Sequence, residues 1–196
     1  MSRKVPVVAT LIVLAAVALM IRLGFWQLDR LHQKESMLAD YQKALHDSKV
    51  VDFKSDLMAD GRGFYRRVRL ECVSDNADKL VSGRNAAGLA GWAHRFGCEF
   101  PYHLKGTAKA EVTIGWSAQP QPVSWSGGMV AGTLVPSIGP VHRVVADPPL
   151  AGLQPNARPD PADLPNNHFA YAVQWFLFAG VALVIYALAM RKRLRP

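Results

Sequence analysis

Residues 166–195 read Asn-Asn-His-Phe-Ala-Tyr-Ala-Val-Gln-Trp-Phe-Leu-Phe-Ala-Gly-Val-Ala-Leu-Val-Ile-Tyr-Ala-Leu-Ala-Met-Arg-Lys-Arg-Leu-Arg. From Phe169 to Met190 the one strongly polar side chain is Gln174. At 1.5 Å per residue, a run of about 22 residues reaches roughly 33 Å, enough to cross a hydrocarbon core of about 30 Å. The stretch predicts a transmembrane helix over 166–190, and the basic cluster Arg191-Lys192-Arg193 with Arg195 marks its cytoplasmic end. Pro165 cannot continue a helix backwards, and Asn166 or Asn167 can cap its first turn. His168 then falls at the helix mouth, near the opposite membrane surface.

The rest of the chain reads outward from that span. Its 196 residues are 50% hydrophobic and carry a net charge of +8, and the mean hydropathy is just above zero. For a strongly basic chain this is too apolar unless the apolar residues are gathered into spans. Val5 to Ile21 is a second such run, preceded by Arg3 and Lys4, and it is long enough to span if it continues to about Phe25. A cleaved signal peptide has the same basic start and apolar middle. Here the only Ala-x-Ala-like site, near Ala16-Val17-Ala18, lies inside the apolar run, so an uncleaved anchor is expected. Basic residues at both short tails predict cytoplasmic termini and an exported middle. The charge alone would suit nucleic acid, but no nucleic-acid motif is present, so anionic lipid or an anionic ligand is the expected counterpart.

The expected plan is a 1–4 tail, a first span over 5–25, an exported domain over 26–146, a connector over 147–165, the second span over 166–190 and a 191–196 tail. Leu28, Leu31, Leu38 and Tyr41 recur at near-helical spacing, which carries the first helix on to about Leu45. From Phe64 to Cys72 apolar and charged residues alternate, the period of a half-buried strand. Further strands are expected at Lys79–Ser82, Gly91–Phe100, Ala110–Gly115, Gly128–Val135 and Val141–Ala146, separated by Gly, Pro, Asn and Ser clusters. With no helical pattern between them they predict a small antiparallel sheet or barrel of about six strands. The fold class is thus membrane α+β. Six prolines between Pro148 and Pro165 make the connector stiff and extended.

Candidate chemistry is sparse. There is no Gly-x-Ser-x-Gly, no His-Glu-x-x-His and no P-loop, so an enzyme is not expected. Cys72 and Cys98 fall in predicted strands of an exported domain, where a disulfide is expected; two buried thiols or a metal pair are the alternatives. His94, His103 and His142 are expected to be ordinary surface or hydrogen-bonded histidines. His168 differs, because Tyr171, Ala172 and Trp175 follow at three, four and seven residues and share its helix face. An imidazole, a small residue and two aromatic rings suit a flat macrocycle with the histidine as axial ligand. The plainer alternative is a belt of interfacial aromatics with a polar neighbour. Trp26 suits the same belt on the first helix, and Arg22 can snorkel.

The motifs Leu23-Gly24-x-Trp26-Gln27-x-x-Arg30 with Lys34, Tyr65-Arg66-Arg67-Val68, Gly115-Trp116 and Asn166-Asn167-His168-Phe169-x-Tyr171-Ala172-x-x-Trp175-Phe176 occur in this order. In that combination the chain resembles the Surfeit locus protein 1 family. Where the family shows an Asn-Arg-Gly-Trp-Val-Pro-like segment, this chain has Thr113-Ile114-Gly115-Trp116-Ser117 and lacks the arginine. The resemblance implies a non-catalytic membrane assembly factor for cytochrome c oxidase. With no Arg/Ser-rich presequence ahead of Val5, a bacterial inner membrane with a periplasmic domain is expected, or else a mature form already processed. It also implies handling of haem a for the largest oxidase subunit, and contact with the haem a synthesis machinery. His168 matches the position thought to bind haem a in some bacterial members. Combined with the residue analysis, this gives an expected site in which His168 binds iron and Tyr171 and Trp175 pack on the ring. Trp26 would close the site, with Arg22 or Arg30 facing the propionates. A scaffold that stabilises an assembly intermediate without haem is the alternative.

Overall fold

The computed structural model describes residues 6–53, 63–102, 106–137 and 141–194. Arg3, Lys4, His103 and Arg195 lie outside the described residues. The chain divides into two compact units, Met1–Met37 with Pro165–Pro196, and Leu38–Leu164.

In the first unit, helix α1 (Val7–His46) contributes its residues up to Met37 and pairs with helix α2 (His168–Leu194). Both helices are long and apolar enough to cross a membrane. Leu11, Ile12, Leu19, Phe178, Ile185 and Leu188 are all more than half exposed. Such a surface is stable against lipid rather than water, and the chain is a two-span membrane protein. The residues buried in these spans are small: Val17 on α1, and Ala172 and Ala179 on α2. Thr10, Val17 and Gly24 recur every seven residues on α1, as do Ala172, Ala179 and Tyr186 on α2. That repeat keeps one seam of each helix facing the other. The pairing is antiparallel. The Thr10 hydroxyl hydrogen-bonds the Tyr186 hydroxyl at one end, and Gly24 meets Phe176 further along, where an added Cβ would lie 2.6 Å from the ring. Phe25 packs edge-on against the same ring at 5.4 Å.

The second unit is built from seven strands among the described residues: β1 (Val51–Asp52), β2 (Arg67–Ser74), β3 (Lys79–Arg84), β4 (Ala90–Tyr102), β5 (Gly106–Ser117), β6 (Gly127–Val135) and β7 (His142–Ala146). The alternation of β2 turns Val68, Leu70 and Cys72 inward, and Arg67, Arg69 and Glu71 outward. Phe96, Cys98 and Phe100 of β4, Val112 and Ile114 of β5, Val130 and Leu134 of β6 and Val144 of β7 join them in one core.

The strand order β2-β6-β7-β5-β4 returns to β2 through a short pairing of Val73 with Glu99 and Ser74 with Cys98. Five strands thus close into a small barrel, with β1 and β3 added outside it. The expected purely antiparallel sheet is corrected to a mixed one. β5 runs parallel to β7, and β1 parallel to β2. Closure by β7 demands this, because β7 fills the gap between β6 and β5 after a short return. Gly132 lets that strand approach: a Cβ there would sit 2.2 Å from the Val145 carbonyl oxygen.

Cys72 and Cys98 are bonded to each other, bridging β2 and β4 where the barrel closes. The proline-rich segment lies along the barrel. Leu150 N–H donates to the Ile114 carbonyl at 2.8 Å, Trp116 and Gln154 exchange two backbone bonds, and Ala157 N–H donates to Arg84. The end of α1 adds Tyr41, Ala44 and Leu45 to a second cluster with Tyr65 and Val135.

The Cys72–Cys98 bridge closes a loop of 26 residues, for which the chain-entropy relation gives a stabilisation of about 3–4 kcal/mol. Full-length protein with both cysteines changed to Ser is expected to unfold at lower urea by that margin, followed by tryptophan fluorescence. An unchanged midpoint contradicts the role given to the bridge.

Candidate functional site

The mouth of α2 is built by its cap. The carbonyl of Asn167 accepts the first intrahelical bond, from Tyr171 N–H at 3.2 Å, which makes His168 the first helical residue. Pro165 keeps the helix from extending further back through it. Asn166 Oδ1 is buried beside the cap without a hydrogen-bond partner among the described residues.

His168 is half-buried on the α1 side of α2, in line with Ala172, Ala179 and Tyr186. Its Nδ1 lies 2.8 Å from Oε1 of Gln27 on α1. The other ring nitrogen, Nε2, has no hydrogen-bond partner among the described residues. Tyr171, half exposed, and Trp175 follow on the flank of α2 next to His168. Trp175 packs edge-on against Phe178 at 6.3 Å, which steadies the indole. Ala172, the small residue on the expected face, packs toward α1. It is 1% exposed and belongs to the helix seam.

The residues expected from α1 fall elsewhere. At 100° per residue, Arg22 and Trp26 lie on the side of α1 opposite Gly24, whereas Gln27 lies on the contact side. Trp26 is 48% exposed and carries the Arg30 guanidinium 5.7 Å from its ring centre. Arg30 also donates to Gln33 at 2.9 Å. The structure therefore groups Arg22, Trp26 and Arg30 in one outward stripe. It brings none of them against His168. Gln27 and Phe178 were not expected at the site. Gln27 stands in the first-helix motif, but which face it takes depends on the register of α1 against α2.

A second constellation lies in the barrel. His94 is fully buried, with Nδ1 2.6 Å from Asp78 Oδ2 and Nε2 2.8 Å from Ser117 Oγ. These distances match a Ser-His-Asp triad, but the hydrogen-bond directions do not. Ser117 gives its single proton to the Gln119 carbonyl at 2.6 Å, so it meets His94 as an acceptor. A nucleophile would need the reverse. Asp78 further accepts from Val123 N–H at 2.9 Å. The network ties the approach to β3, the strands β4 and β5 and the loop after β5 into one buried polar knot.

A cleft of about 320 Å³ in the same unit is lined by Arg84, Arg95, Arg143 and Arg158, with Asp160 and Asp163 beside them. Burial, and next the charge of Arg95, hold the Arg143 guanidinium below its ordinary value, while Glu111 pulls it up. Arg95 itself meets Glu111 at 3.5 Å. The two carboxylates offset part of the charge of the four arginines.

His94→Ala strips a buried carboxylate of its partner and is expected to cost about 3–5 kcal/mol in urea unfolding of the full-length chain. Ser117→Ala is expected to cost about 1 kcal/mol. A Ser117→Ala protein as stable as the wild type contradicts the structural role.

Comparison with known families places these features. No curated protein matches the chain in a sequence comparison. The family model described as SURF1 family matches residues 14–124 and 115–180, which takes in most of α1, the whole barrel unit and the mouth of α2. The chain belongs to the SURF1 family, a family of cytochrome c oxidase assembly factors.

Proposed function

We propose that this chain binds haem a in the membrane and assists its insertion into the largest subunit of cytochrome c oxidase. Haem a is the cargo rather than a resident cofactor, and the chain itself catalyses no bond change. The proposed setting is a bacterial inner membrane, and the Arg191-Lys192-Arg193 cluster in the last turn of α2 supports cytoplasmic termini with a periplasmic barrel.

The observation that carries this reading is the state of His168. One ring nitrogen is engaged by Gln27 and the other has no partner among the described residues, at the mouth of a membrane span. A nitrogen donor of this kind suits haem iron. Tyr171 and Trp175 supply aromatic surface on the same flank, and the half-exposed Tyr171 can move to meet a ring. No group of three or more His, Cys, Asp or Glu residues able to hold a metal ion occurs among the described residues, and a single histidine ligand suits a hold weak enough for onward transfer. The rest of the donor set favours release too, since the Gln27 amide is a neutral acceptor.

The outward stripe of Arg22, Trp26 and Arg30 favours a complementary role. A half-exposed tryptophan under a guanidinium, pointing away from the helix pair, suits contact with another protein or with lipid headgroups. If haem is not bound, this stripe supports the alternative, a scaffold that stabilises an oxidase assembly intermediate.

Purified from cells that make haem a, the wild-type protein is expected to show a Soret band, and His168→Ala to lose most of it. Full haem occupancy in folded His168→Ala protein overturns the ligand assignment. A wild type without haem, from cells shown to contain it, supports the scaffold.

A further inference from the structure

We propose that Gln27 is a positioning residue that fixes the tautomer of His168 and presents Nε2 as the ligand atom. The proposal rests on the reading of His168 as a haem ligand, and it adds which atom binds and what holds it.

Gln27 Oε1 is placed 2.8 Å from His168 Nδ1. An amide oxygen carries no proton, and this orientation of the amide puts the ring proton on Nδ1. A neutral imidazole has one ring proton. Nε2 must then carry the lone pair, and it has no partner among the described residues. With the opposite tautomer the two nitrogens exchange roles: Nδ1, already against Gln27, would hold the lone pair, and Nε2 could not bind metal.

The chemistry of the acceptor matters as much as its place. A carboxylate against Nδ1–H makes an imidazole a stronger, longer-lived ligand. A neutral amide sets the ring's orientation and proton with less push, which suits a site that must surrender its cargo.

Gln27 and His168 also come from different helices. Gly24, three residues before Gln27, packs tightly on α2, since an added Cβ would lie 2.6 Å from the Phe176 ring. The hydrogen bond therefore exists only while the helices are paired at that level. Separation of α1 from α2 would free the imidazole to rotate and to change tautomer, so helix pairing and ligand competence are one condition.

The test is ¹⁵N NMR of the full-length chain labelled at histidine, in detergent and without haem, at a pH where the imidazole is neutral. The His168 signals are identified by their loss in His168→Ala. The wild type is expected to show one tautomer, with Nδ1 protonated and Nε2 bare. Gln27→Leu is expected to give a mixture or the opposite tautomer, and Gln27→Glu, which keeps an acceptor, to restore the wild-type form. Haem a affinity is then expected to fall about 10- to 100-fold in Gln27→Leu and to recover in Gln27→Glu. A wild-type His168 protonated on Nε2, or a tautomer unchanged in Gln27→Leu, overturns the proposal. Because the tautomer is read without haem, either result leaves haem binding to be judged on its own. A wild type with the proposed tautomer that takes up no haem instead overturns the ligand reading alone.

Discussion

The close approach of α1 to α2 at Gly24 is the contact on which the membrane unit depends. Lipid offers no hydrophobic reward for bringing two apolar helices together, so packing and a few polar contacts must do it. Gly24 makes room for the Phe176 ring, and Ala172 and Ala179 keep the rest of the seam thin. Thr10 with Tyr186 and Gln27 with His168 are polar pairs placed toward opposite ends of the contact. Each would be costly in hydrocarbon without its partner. The seam thus fixes the register, and the register decides that His168 meets Gln27 rather than Trp26.

The barrel unit solves a different problem. It is small and must avoid open sheet edges, and it does so by closing five strands on themselves. The closing pair, β2 with β4, is the shortest in the ring, with two residues matched on each side. The disulfide sits at that weak point, and the proline-rich segment covers the ends of β3 and β5 with five backbone hydrogen bonds of its own. The buried Asp78-His94-Ser117 network adds directional contacts to a core otherwise made of aliphatic and aromatic side chains. A polar knot of this kind favours one arrangement of the loops around β3, β4 and β5 over others of similar hydrophobic content.

Much of this was legible in the sequence, and what was missed shares one cause. The spans showed because an apolar run longer than 20 residues has few other uses. β2 showed because Val68, Leu70 and Cys72 alternate with charge. A small barrel was one of two readings the strands allowed, but the strand order that closes it and the parallel β5–β7 pairing did not show, since they depend on strands far apart in the chain. His94 looked like any other histidine because Asp78 and Ser117 are 16 and 23 residues away. The candidate site followed the same rule. His168 was marked by the span that begins there, and its aromatic flank by helical spacing along one element. Gln27 was hidden, and that Trp26, Arg22 and Arg30 share another side of α1 was not legible, because sequence gives a residue's height on a helix but not which side its partner helix will take.

The claim that supports the rest is the register of α1 against α2. It is tested most directly by paired cysteines in the full-length chain, oxidised in intact membranes. The account predicts a cross-link for Gly24→Cys with Phe176→Cys, and little for Trp26→Cys with Phe176→Cys, whose first member lies on the far side of α1. A cross-link from Trp26→Cys in preference to Gly24→Cys would turn α1 by about half a revolution, separate Gln27 from His168 and contradict the account.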